Sequence, residues 1–134
     1  MKSFSLKIAT PDELVFDGEV ERLLVRTTEG DVEILAGHAD FLSALGIGRA
    51  RITANGEKRF AAVSGGFVSV RKNEVNVVCT TFEFSDEIDI NRAKLAKERA
   101  EDAIKSKRDS NAEALLKAKL SRALERISAW ELGK

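Results

Sequence analysis

The chain has 134 residues, 43% of them hydrophobic and 33% charged, which suits one soluble core with at most a small helical appendage. Its 22 acidic residues balance its 22 basic ones, so no overall basic field points to nucleic acid and no acidic excess points to a disordered tail. No apolar run approaches the roughly 20 residues needed to span a bilayer, and the first residues lack an apolar signal core; the protein is expected in the cytoplasm unless a partner takes it to a membrane.

From residue 3 to about 84 the pattern has period two, in FSLKI, VERLLVRT, DVEIL, RARIT, RFAAVS, FVSV and EVNVVC, which predicts strands. Turn signals separate these runs at Pro11-Asp12, Asp17-Gly18, Glu29-Gly30-Asp31, Asn55-Gly56, Gly65-Gly66 and Lys72-Asn73. Asn55-Gly56 is the firmest of them, because a type I′ hairpin needs positive φ at both central positions. Short antiparallel strands joined by hairpins predict a sandwich or barrel rather than a parallel sheet. Cys79 is the single cysteine, has no internal partner, and is expected as a small buried apolar side chain.

At Asp86 the alternation stops, and from Asp89 the chain consists of strong helix formers. Asp89 is placed to cap a first helix, and Ser110 with Glu113 has capping-box spacing for a second. The short SKRDSN segment between them predicts an antiparallel helical hairpin. The fold class is therefore α+β, with a β-sandwich over residues 1–85 followed by a two-helix hairpin over 86–134. Ala93, Ala96, Ala100 and Ala103 form a narrow methyl seam on the first helix, facing Leu116, Leu120, Ala123, Ile127 and Trp130 on the second. Each methyl contributes only about 0.8 kcal/mol when buried, so the hairpin is expected to close weakly and to exchange between folded-down and extended states.

Arg92 and Arg99 share one face of the first helix, and Arg122 and Arg126 share one face of the second. Folding back places Arg92 level with Arg126 and Arg99 within a turn of Arg122, gathering four guanidinium groups along one edge. A polyphosphate would relieve their mutual repulsion through bidentate contacts. The same helices also carry Lys94 with Glu98, Lys97 with Glu101, and Glu125 beside Arg122 and Arg126, the spacings of an ordinary solvated face, and spacing alone leaves both readings open.

Catalytic motifs are sparse. There is no GxxxxGK[ST] phosphate loop, and Gly65-Gly66 opens a strand rather than a helix, so it is not a dinucleotide fingerprint. His38 is the only histidine, which argues against a structural metal. His38, Asp40 and Ser43 lie too close together in sequence to be assumed to converge as a triad, and a loop histidine at a surface or interface is expected instead.

The runs TEGDVEILAGHADFLSALGIG, RFAAVSGGFVSVRKNEVNVV and EIDINRAKLAKERAE, in this order, resemble the epsilon subunit of bacterial F-type ATP synthase over essentially the whole chain. The resemblance implies a sandwich of about ten strands followed by two helices. It implies a non-catalytic rotor subunit, seated on the gamma subunit and the membrane c-ring, that couples proton or sodium flow to ATP synthesis. Such a protein is peripheral, at the cytoplasmic face of the bacterial cell membrane. The loop with Glu29, Gly30, Asp31 and His38 corresponds to the family's docking surface at the foot of the sandwich. The C-terminal helices of the family extend into the alpha/beta catalytic head and impede hydrolysis, or fold down. In some members IDxxRA belongs to a regulatory ATP site, which implies ATP as ligand and maps to Ile88, Asp89, Arg92 and Ala93. Arg99, Arg122 and Arg126 match further basic positions of that site, and Glu83 a polar contact. At three positions where the family often has glycine, proline and proline, the chain has Glu33, Ala36 and Asp40, leaving this loop more acidic and less constrained. Two other readings compete: a free-standing nucleotide sensor without a rotor partner, and an enzyme acting through the GH loop.

Overall fold

The computed structural model describes residues 2–106 and 110–134. Eight strands come first: β1 (Phe4–Ala9), β2 (Leu14–Val20), β3 (Arg22–Thr27), β4 (Gly30–Leu35), β5 (Phe41–Leu45), β6 (Gly48–Ala54), β7 (Glu57–Arg71) and β8 (Glu74–Phe84). A 3₁₀ turn at Ser85–Glu87 leads into helices α1 (Ile90–Ser106) and α2 (Ser110–Leu132).

The strand order is β2-β1-β8-β7-β5-β3-β4, with β6 bridging β3 and β7. The long β7–β8 hairpin serves both layers. The first half of β7 pairs with β6, from Gly48↔Val63 to Ala54↔Glu57, and the second half pairs with β5, from Phe41↔Val70 to Leu45↔Gly66. Eight continuous strands thus supply ten strand segments, five to a layer. One pairing departs from the antiparallel expectation: β1 runs parallel to β8, with Leu6 opposite Val75. Period-two alternation is blind to strand direction, so the sequence carried no signal for it.

The alternating residues fill the space between the layers. Phe4, Leu6 and Ile8 of β1, Leu23 and Val25 of β3, Ile34 of β4, and Val75 and Val77 of β8 are all buried. Each stabilises the fold by about 1.5–3 kcal/mol relative to exposure. In β7 the alternation fails, since Ala61, Ala62, Val63 and Ser64 are all buried. Ala61 and Val63 face the core, while Ala62 packs with Ile88 and Ala129 under α2, joined by Trp130.

Two hairpins have the expected chemistry. Asn55 and Gly56 take φ of 53° and 77°, and Lys72 and Asn73 take 49° and 62°. Two expected turns are not turns. Asp17-Gly18 lies inside β2, where Asp17 opposes Lys7 and Gly18 opposes Leu6, because pairing with β1 overrides the local preference. Gly65-Gly66 lies inside β7, where both residues have positive φ and let the strand pass from one layer to the other. A Cβ at Gly66 would sit 1.9 Å from the Val78 carbonyl oxygen.

Asp89 caps α1 as expected: its Oδ1 accepts the Arg92 backbone N–H at 3.1 Å. The Ser110 side chain and the middle of the SKRDSN connection lie outside the described residues. At the far end of α2 the Gly133 N–H donates to the Ala129 carbonyl at 3.0 Å. No helix among the described residues is long and apolar enough to cross a membrane.

Cys79 is buried, and burial pushes its thiol up to about 11. The unfolded thiol ionises near 9 while the folded one stays protonated, so stability present below pH 9 should fall as pH rises from 9 toward 11. In denaturant titrations at pH 8, 9.5 and 10.5, Cys79→Ser should flatten that part of the decline. Gly66→Ala should lower stability by at least about 2 kcal/mol in urea unfolding, through strain at positive φ and the collision with Val78.

Candidate anion-binding site between the helices

The hairpin creates a cleft of about 540 Å³ between α1 and α2. Arg92 and Arg99 reach it from α1, and Arg122 and Arg126 from α2, so the four arginines singled out by helical register do converge. Leu95, Ala96, Ala100 and Leu116 form its apolar floor, which is the methyl seam of α1 meeting α2. Among the described residues no acidic side chain lines this cleft. Sequence reasoning missed one cation there, Lys119. Its signal was legible: positions 119, 122 and 126 recur at spacings of three and four on one face.

A smaller cavity of about 240 Å³ adjoins the cleft and shares Arg92 and Arg126 with it; Glu83, Glu87, Asp89 and Ala93 complete its lining. Glu83 accepts a hydrogen bond from Arg126 Nε at 2.6 Å, which fixes one guanidinium at the junction of the two cavities. Seven of the eight residues implied by the resemblance therefore line one connected region. Ile88 is the exception, being packed on Ala62 and Ala129 and lining neither cavity. Its place in IDxxRA is structural, since it anchors the segment that presents Asp89 and Arg92.

The arrangement is a fork of fixed cations over an apolar bed. Arginines on facing helices can each give two N–H donors to phosphate oxygens, and the alanine and leucine floor can take a flat apolar ring.

The second group of expected residues does not form one loop. Glu29 lies in the turn at the tip of the β3–β4 hairpin, and Gly30 and Asp31 begin β4. His38 follows the other end of β4, roughly 16 Å of strand away. The intervening DVEIL residues are a paired strand, and their alternation signalled as much. Asp31 pairs with Arg26 at 3.0 Å, which holds its carboxyl below the usual range. His38 is half-buried, with Nδ1 2.7 Å from the Ala39 carbonyl and its ring against Phe41. Asp40 accepts the Lys72 backbone N–H and Ser43 donates to the Ala44 carbonyl, so both have other partners than a triad would give them. Glu33, unusual against the family pattern, is paired with Arg22 at 3.3 Å and Arg51 at 3.4 Å. Among the described residues no group of histidine, cysteine, aspartate and glutamate could hold a metal ion.

A β-sandwich with a helical hairpin folded against it defines a two-domain α+β protein. Residues 3–85 match the beta-sandwich domain of the ATP synthase delta/epsilon chain, and residues 86–131 match its long alpha-helix domain. The chain belongs to the ATP synthase delta/epsilon chain family. Its relatives include the ATP synthase epsilon chains of Ruminiclostridium cellulolyticum, 39% identical over 96% of both chains, and of Bacillus pumilus, 41% identical over 96% of this chain and 97% of the other. Among solved structures it resembles a chain of the Euglena gracilis mitochondrial ATP synthase OSCP/F1/c-ring assembly, with a TM-score of 0.79, 26% identity, and coverage of 97% of this chain and 80% of that one.

Helix α1 packs chiefly on α2 and buries only Ala93 and Ala100, whereas α2 is seated on the sandwich. Amide exchange in α1 should therefore be at least about tenfold faster than in β7 and β8. Equal protection of α1 and the sheet would show that the hairpin is not a weakly closed element.

Proposed function

We propose that the protein is the non-catalytic central-stalk epsilon subunit of an F-type ATP synthase. Its sandwich docks on the gamma subunit and the c-ring, and its helical hairpin restrains ATP hydrolysis when it rises toward the alpha/beta head. The subunit sits peripherally at the membrane, held there by the complex. Support comes from the match of both domains to one family and from relatives that align end to end. The Euglena assembly, which contains F1 and the c-ring, supports the choice of partners.

The hairpin's ligand is ATP, on this reading, held in the folded-down state. The observation that carries it is the convergence of Arg92, Arg99, Lys119, Arg122 and Arg126 on one cleft that no carboxylate lines among the described residues. That many cations in one cleft repel one another, and a triphosphate replaces repulsion with charge-assisted hydrogen bonds. The cleft exists only while α1 and α2 lie side by side, so a ligand seated there shifts the population toward the closed hairpin. Glu83 and Asp89 position Arg126 and the start of α1.

Calorimetric titration of the isolated protein with ATP tests the ligand. Arg92→Ala and Arg126→Ala should each weaken binding roughly 10- to 100-fold, and Lys119→Ala somewhat less. Absence of binding by the unmodified protein would overturn the ATP reading and leave the docking role standing. For the regulatory role, deletion of residues 86–134 in the assembled complex should raise ATP hydrolysis, and an unchanged rate would remove it. Co-purification with a gamma-like subunit separates a rotor subunit from a free-standing sensor, which would emerge alone.

A further inference from the structure

Away from the cleft, α2 touches the sandwich through charge as well as through Ala129. Arg49 of β6 stands opposite Ala62, the residue on which Ala129 sits. Its Nε lies 3.2 Å from Oε2 of Glu125 in α2. That oxygen is buried and makes no hydrogen bond of good geometry, so the ion pair is its main compensation. A second pair lies alongside. Arg26 bonds Asp31 at the start of β4, and a cavity of about 180 Å³ is lined by Arg26, Asp31 and Arg49 together with Leu132 from the end of α2. Arg26 crosses β6 at close range, since a Cβ at Gly48 would lie 2.7 Å from its own Cβ. The four groups feel one another: Glu125 favours the charged form of Arg26, and Arg49 favours that of Asp31.

We propose that Arg49 and Glu125 form an ionic latch holding the hairpin down on the sandwich, and that Asp31 competes with Glu125 for Arg49 and Arg26, wiring the latch to the β3–β4 turn. This rests on the reading that the hairpin lifts. None of the four residues lines the arginine cleft, so the latch acts without nucleotide. Lifting α2 separates Glu125 from Arg49 and returns the buried Glu125 oxygen to water. Removing Arg49 leaves that oxygen uncompensated in the closed state, and removing Glu125 takes away the attraction across the contact, so either change favours opening. Asp31 acts with the opposite sign, because each arginine it draws is drawn away from Glu125. A partner that engages Asp31 at the turn would therefore tighten the hold on α2, linking what docks on the sandwich to the position of the helices.

Hydrogen exchange of α2 amides in the isolated full-length chain, without nucleotide, tests this, with fluorescence of the single tryptophan, Trp130, as a second readout. Glu125→Gln and Arg49→Gln should each speed α2 exchange roughly three- to tenfold, and the swapped pair Arg49→Glu with Glu125→Arg should restore part of the protection. Asp31→Asn should slow α2 exchange about twofold, and that effect should vanish in the double variant with Glu125→Gln. Fast α2 exchange in the unmodified chain that Glu125→Gln and Arg49→Gln leave unchanged overturns the latch alone. Acceleration by Asp31→Asn, or an equal effect in the double variant, overturns the link to the turn. Exchange of α2 as slow as that of β7 and β8 in the unmodified chain overturns the lifting hairpin itself, and the latch with it.

Discussion

The seating of α2 on β7 governs everything distinctive about this molecule. Ala129 is fully buried against Ala62 and Ile88, a contact between small side chains that lets the helix lie close to the sheet. Close approach is what brings Arg126 within hydrogen-bond reach of Glu83 on β8 and Glu125 within reach of Arg49 on β6. It also sets the height of α1, which rests on α2, and hence the width of the cleft. A larger residue at position 62 or 129 would raise the helix and separate both ion pairs at once.

The energetic character of that seat differs from that of the sandwich. The layers are joined by leucine, isoleucine, valine and phenylalanine side chains and by a long β7–β8 ladder that skips only Gly65. The helices are joined to the sandwich and to each other mostly by alanine, with charged pairs around the edge. Alanine contacts give up little when broken, and solvent-facing pairs contribute on the order of 1 kcal/mol or less. The helices therefore hold to the sandwich, and to each other, less strongly than the two layers of the sandwich hold together.

What could be read before the structure follows the same division. Period-two runs located the strands, positive-φ turns located two hairpins, and the change of period at Asp86 located the helices. Helical register alone gathered the four arginines, because positions on an antiparallel hairpin are related by simple arithmetic once the turn is placed. The parallel β1–β8 pairing and the passage of Gly65-Gly66 through a strand were hidden. Each depends on which strand lies next to which, and alternation does not encode neighbours. The partner of Glu125 was invisible for the same reason, since Arg49 comes from a strand distant in sequence.

Lys119 and Ile88 show the limit from the other side. A motif or a residue type draws attention to arginines and to IDxxRA, yet a site is defined by which side chains reach the same space. Lys119 reaches it without belonging to any motif, and Ile88 belongs to the motif while facing the sandwich. The motif is therefore two devices in one stretch. Its apolar member secures the start of α1 to the sheet beneath α2, and its polar members turn outward toward the cavities. Asp89 joins the two, since it follows Ile88 directly and its carboxylate accepts the Arg92 N–H in the first turn of α1.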